Sequence, residues 1–255
     1  MNKLRISTAV CMLFCIASHA QLKKVTTAAS SKTNANIKVF NQAIASGDAN
    51  TAITALNYYI NEQGNSTTYA DTLAMLYMQQ GAFPQCYYWA SKRLEITPDN
   101  NILLELKGFC LDKLQQPKES IDIFEKLFKR TQSPFHAYKL MELQYGIKRL
   151  AECLATAVAA EKLAFKPDFI MTYNVGQQTG RTYLQAGVFN FHALALYDLD
   201  KKAEAKTYFE KALALDSTFA LAKQNLEALK SLESGAGKSV QQNGQPAASP
   251  AIKQN

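Results

Sequence analysis

From Tyr69 onward, apolar and polar positions alternate with a helical rhythm. Tyr69, Leu73, Leu76 and Tyr77 are spaced by four, three and one residues, which puts them on one face of a helix. Gly81 follows, where the chain needs a left-handed residue that glycine adopts at little cost. A second stripe, Cys86, Ala90 and Leu94, predicts another helix, and Pro98 stops it because proline cannot continue the hydrogen-bonded ladder. The stretch GAFPQCYYWASKRLEITPDN is therefore the second half of a helical hairpin with a turn at each end.

The same pattern returns at an interval of 34 residues. Ala43, Gly47, Ala52, Leu56 and Ile60 align with Tyr77, Gly81, Cys86, Ala90 and Leu94, and then with Leu111, Gln115, Ser120, Phe124 and Phe128. One slot holds Ala52, Cys86 and Ser120 in turn. Two antiparallel helices approach closely only where a side chain is small, so this slot marks the crossing point of each pair. A bulky residue there would separate the helices and open voids.

In these residues the chain resembles the tetratricopeptide repeat family. The second unit carries Ala74, Tyr77, Gly81, Phe83, Cys86, Ala90 and Pro98 in the family's pattern, and the third carries Gly108, Leu111, Ser120, Phe124 and Leu127. The fullest match is Ala193, Leu196, Ala205, Phe209, Ala212 and Leu213. Lys202 and Pro117 depart from it, standing where the family has an aromatic after the turn. The resemblance implies an all-α fold, a right-handed α-solenoid of stacked helix-turn-helix repeats at residues 36–232. The units fall at about 33–66, 67–100, 101–133, 134–167 and 186–219, with a cap helix at 218–232 closing the last apolar face.

The fourth unit is degenerate, although LAECLATAVAAEKLAF is an amphipathic helix with Cys153 in the small slot. From Cys153 to Ala205 there are 52 residues, one period and a further 18. The extra residues, 168–185, begin with a period-two alternation of Phe169, Met171, Tyr173 and Val175 against Ile170, Thr172 and Asn174, then run into a Gly-rich polar stretch. They are expected to form a β-hairpin before the last repeat.

The ends differ in composition. Residues 1–20, MNKLRISTAVCMLFCIASHA, have a basic head, a short apolar run and a small-x-small close, the layout of a signal peptide. Neither Cys11 nor Cys15 follows the small residue that a lipoprotein signal needs. Residues 21–35 read as a flexible lead-in, and 233–255, rich in Gly, Ser, Gln, Pro and Ala, as a disordered tail. No later segment reaches the roughly 18 apolar residues of a membrane span. The expectation is an exported protein, periplasmic or secreted, of the kind found in Bacteroidetes-like bacteria.

Charge adds little. Formal charge is +7, and removing Lys3 and Arg5 with the signal (7 − 2) leaves +5. Lys and Arg alternate with Glu along the helices, as in KKAEAKTYFEKAL, which is ordinary surface patterning and argues against nucleic acid. After cleavage Cys86, Cys110 and Cys153 remain, an odd number that cannot be fully paired in one chain. They read as small buried hydrophobes, with a Cys86–Cys110 bridge as the open alternative.

No constellation for catalysis is complete. GQQTGRT follows an apolar run, but three residues separate its glycines instead of four and Arg181 stands in place of lysine, so a hairpin turn explains it better than a phosphate loop. Asp198 and Asp200 lack the third calcium ligand, Lys202 standing in its place, and read as turn residues capping the next helix. His136 and His192 have no metal-ligand spacing. The expectation is a non-catalytic scaffold without cofactor or metal.

The resemblance places a partner peptide or protein in a concave groove lined by the first helix of each unit. Transferred residue by residue, the groove positions are Asp71, Met75 and Met78 in the second unit, Glu105, Phe109 and Asp112 in the third, and Asn190, Leu194 and Tyr197 in the last. The set is apolar and acidic, without the Lys and Asn clamp with which chaperone-binding members hold a terminal carboxylate. A ligand-binding or enzymatic accessory role through the 168–185 insertion is the alternative.

Overall fold

The structure, a computed structural model, describes residues 34–233. The signal peptide expected at 1–20, most of the lead-in and almost all of the expected tail lie outside the described residues. Among these there are eleven helices and two strands. In chain order they are α1 (Ala35–Ser46), α2 (Ala49–Gln63), α3 (Tyr69–Gln79), α4 (Phe83–Leu94), α5 (Asn101–Lys113), α6 (Pro117–Thr131), α7 (Pro134–Gly146), α8 (Leu150–Ala160), β1 (Ile170–Val175), β2 (Gln178–Tyr183), α9 (Leu184–Asp198), α10 (Lys202–Leu215) and α11 (Ala220–Glu233). The helices form hairpins that stack into a right-handed α-solenoid, with the β-hairpin set before the last repeat.

Each hairpin turn has the same backbone geometry. Gly47, Gly81, Gln115, Lys148 and Asp200 all adopt positive φ, between 61° and 75°. Two are glycines, which take this conformation freely; the other three carry a Cβ into it. The turn geometry is therefore a property of the repeat, and glycine is only its cheapest solution. Asn34, Asp48 and Asn100 cap the helices that follow them, each accepting a backbone N–H with its side chain. Asp200 departs from its expected role. It lies in the turn but caps nothing: Lys201 occupies the cap of α10 without a side-chain hydrogen bond, and Asp200 pairs with Lys202 instead.

The small slots lie at the helix crossings. Ala52, Cys86, Ser120, Cys153 and Ala205 are all fully buried. Ser120 Oγ donates to the Gly108 carbonyl at 2.8 Å, so its hydroxyl is satisfied inside the crossing. Gly108 itself has no room for a side chain, because a Cβ would lie 2.7 Å from the Phe124 ring.

β1 and β2 are antiparallel, with Met171 opposite Thr182 and Tyr173 opposite Gly180. Gly176 opens their two-residue turn at φ 61°. Met171 and Tyr173 point inward, as the period-two pattern requires. Met171 lies against Gly187 of α9, where an added Cβ would sit 2.3 Å from its sulfur and 2.9 Å from the Tyr138 ring of α7. Tyr173 stacks edge-on to Phe219 at 4.8 Å, and its hydroxyl accepts the Ala220 N–H at 3.0 Å. The hairpin thus ties α7 and α9 to the start of α11, and Met171, Tyr173, Phe191, Phe209 and Phe219 share one core.

Candidate protein-binding trough

The solenoid's curvature follows from which helices meet. The first helices of neighbouring hairpins pack on one another, α3 on α5 and α7 on α9, while consecutive second helices make at most marginal contact. First helices therefore converge on the inner side and second helices splay outward, which produces a concave face. Between α1 and α3, and between α5 and α7, the backbones stay further apart, and charged side chains span the second gap.

The predicted positions fall into two groups. Asp71 pairs with Arg93, a buried guanidinium that also donates to the carbonyls of Asn65 and Ser66 at 3.1 and 3.2 Å. Met75 and Met78 are half-buried on α3 beside Leu94 and Phe83. Glu105 contacts His136 Nε2 at 2.6 Å, and Asp112 accepts from Lys139 Nζ at 2.8 Å. Phe109 is buried, edge-on to Phe124 at 5.2 Å, with Lys139 Nζ 5.4 Å from its ring centre. In the last repeat Asn190 and Leu194 are buried as well. Asn190 accepts from Asn225 of α11 at 3.2 Å, while Tyr197 is half-buried against the same core.

The groove reading omitted the residues of α7 that complete this face. A shift of 33 from the third unit puts Tyr138, Glu142 and Tyr145 in the slots of Glu105, Phe109 and Asp112. Tyr138 and Tyr145 are buried against Phe191 of α9, at 5.5 and 5.8 Å between ring centres. Lys139 joins Asp112 to Glu142, at 2.8 Å from each. Burial favours its neutral form, but the two carboxylates outweigh that and its pKa lies above the usual lysine value. Around α5 and α7, Glu105, Asp112 and Glu142 thus face one lysine and one histidine. A 33-residue step from the third unit could have located Glu142. Lys139 is almost fully buried on a helix that is itself buried nearly all round.

His192 marks the junction of α8, α9 and α10. It pairs with Glu161 and stacks on Tyr208 at 3.8 Å. Burial lowers its pKa below the ordinary histidine value, only partly countered by Glu161. Glu161 is thereby drawn into the repeat interface.

No group of three or more His, Cys, Asp or Glu side chains suited to a metal occurs among the described residues. Nor is any described helix long and apolar enough to cross a membrane. Beside the β-hairpin, Ile170, Arg181, Thr182, Tyr183 and Asp216 line an open cavity of about 330 Å³. The Asp216 pKa is lowered: burial raises it, but hydrogen bonds from the Thr218 hydroxyl and N–H outweigh that.

A stack of helical hairpins with small crossings, left-handed turns and a concave inner face defines a tetratricopeptide-type solenoid. Residues 186–219, which span α9 and α10, match the tetratricopeptide repeat family. No curated protein matches the chain. Among solved structures, YrrB, described as a TPR protein with an unusual peptide-binding site, is similar at a TM-score of 0.60 and 15% identity, over 84% of this chain and 98% of that one. MamA 41-end from Desulfovibrio magneticus RS-1 is similar at 0.59 and 14%, over 75% and 99%. PilF of Pseudomonas aeruginosa is similar at 0.53 and 20%, over 66% and 68%. At identities this low the structural likeness shows the fold alone.

Proposed function

We propose that the protein is a non-catalytic interaction scaffold of the bacterial cell envelope that holds a partner peptide or protein in the trough of α3, α5 and α7. The observation that carries this reading is the inner face itself. Half-buried Met75 and Met78 lie beside a carboxylate-rich stretch at Glu105, Asp112 and Glu142. Methionine adapts to varied apolar side chains, and flanking carboxylates favour partners that carry basic groups. The peptide-binding description of YrrB supports the same use of this fold. The envelope assignment rests on the signal-like layout of residues 1–20.

The test is a crosslinked pull-down from envelope extract, repeated with the Met75→Glu/Met78→Glu variant. Wild type should recover a defined polypeptide and the folded variant should lose it. Recovery of nothing by wild type, or equal recovery by both, overturns the trough reading. The cavity beside the β-hairpin favours a second reading, a small-ligand site at the 168–185 insertion. Thermal-shift screening against nucleotides, metals and glycans tests it, and Arg181→Ala should abolish any shift.

A further inference from the structure

Cys86 and Cys110 sit on α4 and α5, which belong to different repeats and pack directly on one another. Both side chains are completely buried and belong to one apolar cluster with Ala74, Ala90, Leu103 and Leu106. Both thiols are free. The neighbouring Cys110 thiol, followed by burial, pushes the Cys86 thiol far above the ordinary cysteine range. Cys153 is placed differently: it lies in the C-terminal core, donates to the Met141 carbonyl at 3.5 Å, and burial pushes its thiol up to about 12.

The repeat provides an internal comparison. The slot of Cys86 holds Ala52 in the first unit and Ser120 in the third, and the slot of Cys110 is matched by Leu76 and Leu143. All four of these residues are buried. The same junction is therefore built elsewhere from a small residue and a leucine, and packing alone does not call for sulfur on both sides. Among the described residues, only the junction of the second and third units has cysteine in both slots.

We propose that Cys86 and Cys110 are a disulfide-forming pair that staples the second helix of one repeat to the first helix of the next. The oxidant is a small-molecule or protein disulfide. One cysteine thiolate attacks it, forms a mixed disulfide and releases one thiol; the second thiolate attacks the mixed disulfide and releases the other. Two cysteine thiols and one oxidant disulfide give one protein disulfide and two oxidant thiols. In the packed repeat both thiols are enclosed, so exchange takes place before the two hairpins dock or while they are parted. The bond closes a loop of about 25 residues and fixes the angle between the repeats that carry Met75 and Phe109. It does not depend on what the trough binds.

The test uses the full chain with Cys11, Cys15 and Cys153 replaced by serine, refolded in a mixture of glutathione and glutathione disulfide, alkylated and digested without reduction. The expected product is a monomer in which the Cys86 and Cys110 peptides are joined, about 2 Da lighter than their sum, because two hydrogens are lost. Its melting temperature should exceed that of the reduced chain by roughly 5–10 °C. Cys86→Ala, which installs the residue found at Ala52 and Ala205, should abolish the difference. Separate alkylation of both cysteines, two glutathione adducts, or bridges between chains would each overturn the proposal. Should Cys86→Ala not fold, the peptide map of the cysteine-pair chain decides alone.

Discussion

Met75 and Leu194 occupy the same register of their repeats, each on the first helix of a hairpin. Met75 is half-buried on α3, whereas Leu194 is sealed in the core of α9. The neighbours make the difference. Around α9, α7 packs backbone to backbone, the β-hairpin presses Met171 onto Gly187, and α11 reaches Asn190 through Asn225. Among the described residues no β-hairpin or cap helix covers α3, and between α5 and α7 charged side chains span a wider gap. A groove position in a repeat is thus a site only where the adjoining elements leave it uncovered. At the C-terminal end the same position becomes core, closing the array as a solenoid end must.

Truncation at the shared register should separate the two regions most clearly. Leu194→Ala is expected to cost about 2–5 kcal/mol of stability in denaturant unfolding, while Met75→Ala should cost roughly 1 kcal/mol or less and weaken partner capture instead. Equal losses would remove the distinction. Next in size is Lys139→Ala, which leaves Asp112 and Glu142 facing each other without their cation. It should cost about 2 kcal/mol, less than a fully buried pair because both carboxylates keep some exposure. Ser120→Ala strands the Gly108 carbonyl inside a crossing and should cost about 1 kcal/mol by the same measurement. In the opposite direction, Gln115→Gly relieves a left-handed residue with a Cβ and should stabilise by up to about 1 kcal/mol.

The smallest effect is a pH slope at the C-terminal end. His192 has a lowered pKa in the folded chain because of its burial, so below its ordinary value the unfolded chain binds more protons than the folded one. Its contribution is complete above about pH 6.5 and is lost as pH falls below that. The fall in melting temperature between pH 7 and pH 5 should therefore be shallower in His192→Gln. An unchanged slope would show that the titration does not couple to folding of this region.

Much of the fold was legible in local pattern. The 34-residue interval, the small slots and the stop at Pro98 are short-range requirements of helical hairpins, and so they appear in one unit at a time. Gln115, Lys148 and Asp200 were less legible, because a positive φ can be imposed on residues that do not advertise it. Met75, Met78, Glu105 and Asp112 could be placed on inner helices by register. Their pairing with Lys139 and His136 could not, because those partners come from the unit whose repeat pattern is weakest.

By itself the sequence determined the helices, their turns and the β-hairpin, since periodicity, capping and backbone sterics act over a few neighbouring residues. The tertiary structure decided which inner positions stay accessible, which charges meet across α5 and α7, and that Cys86 and Cys110 share one buried cluster. Burial and pairing depend on how elements distant in the chain stack, and one local pattern serves equally for a trough or a core.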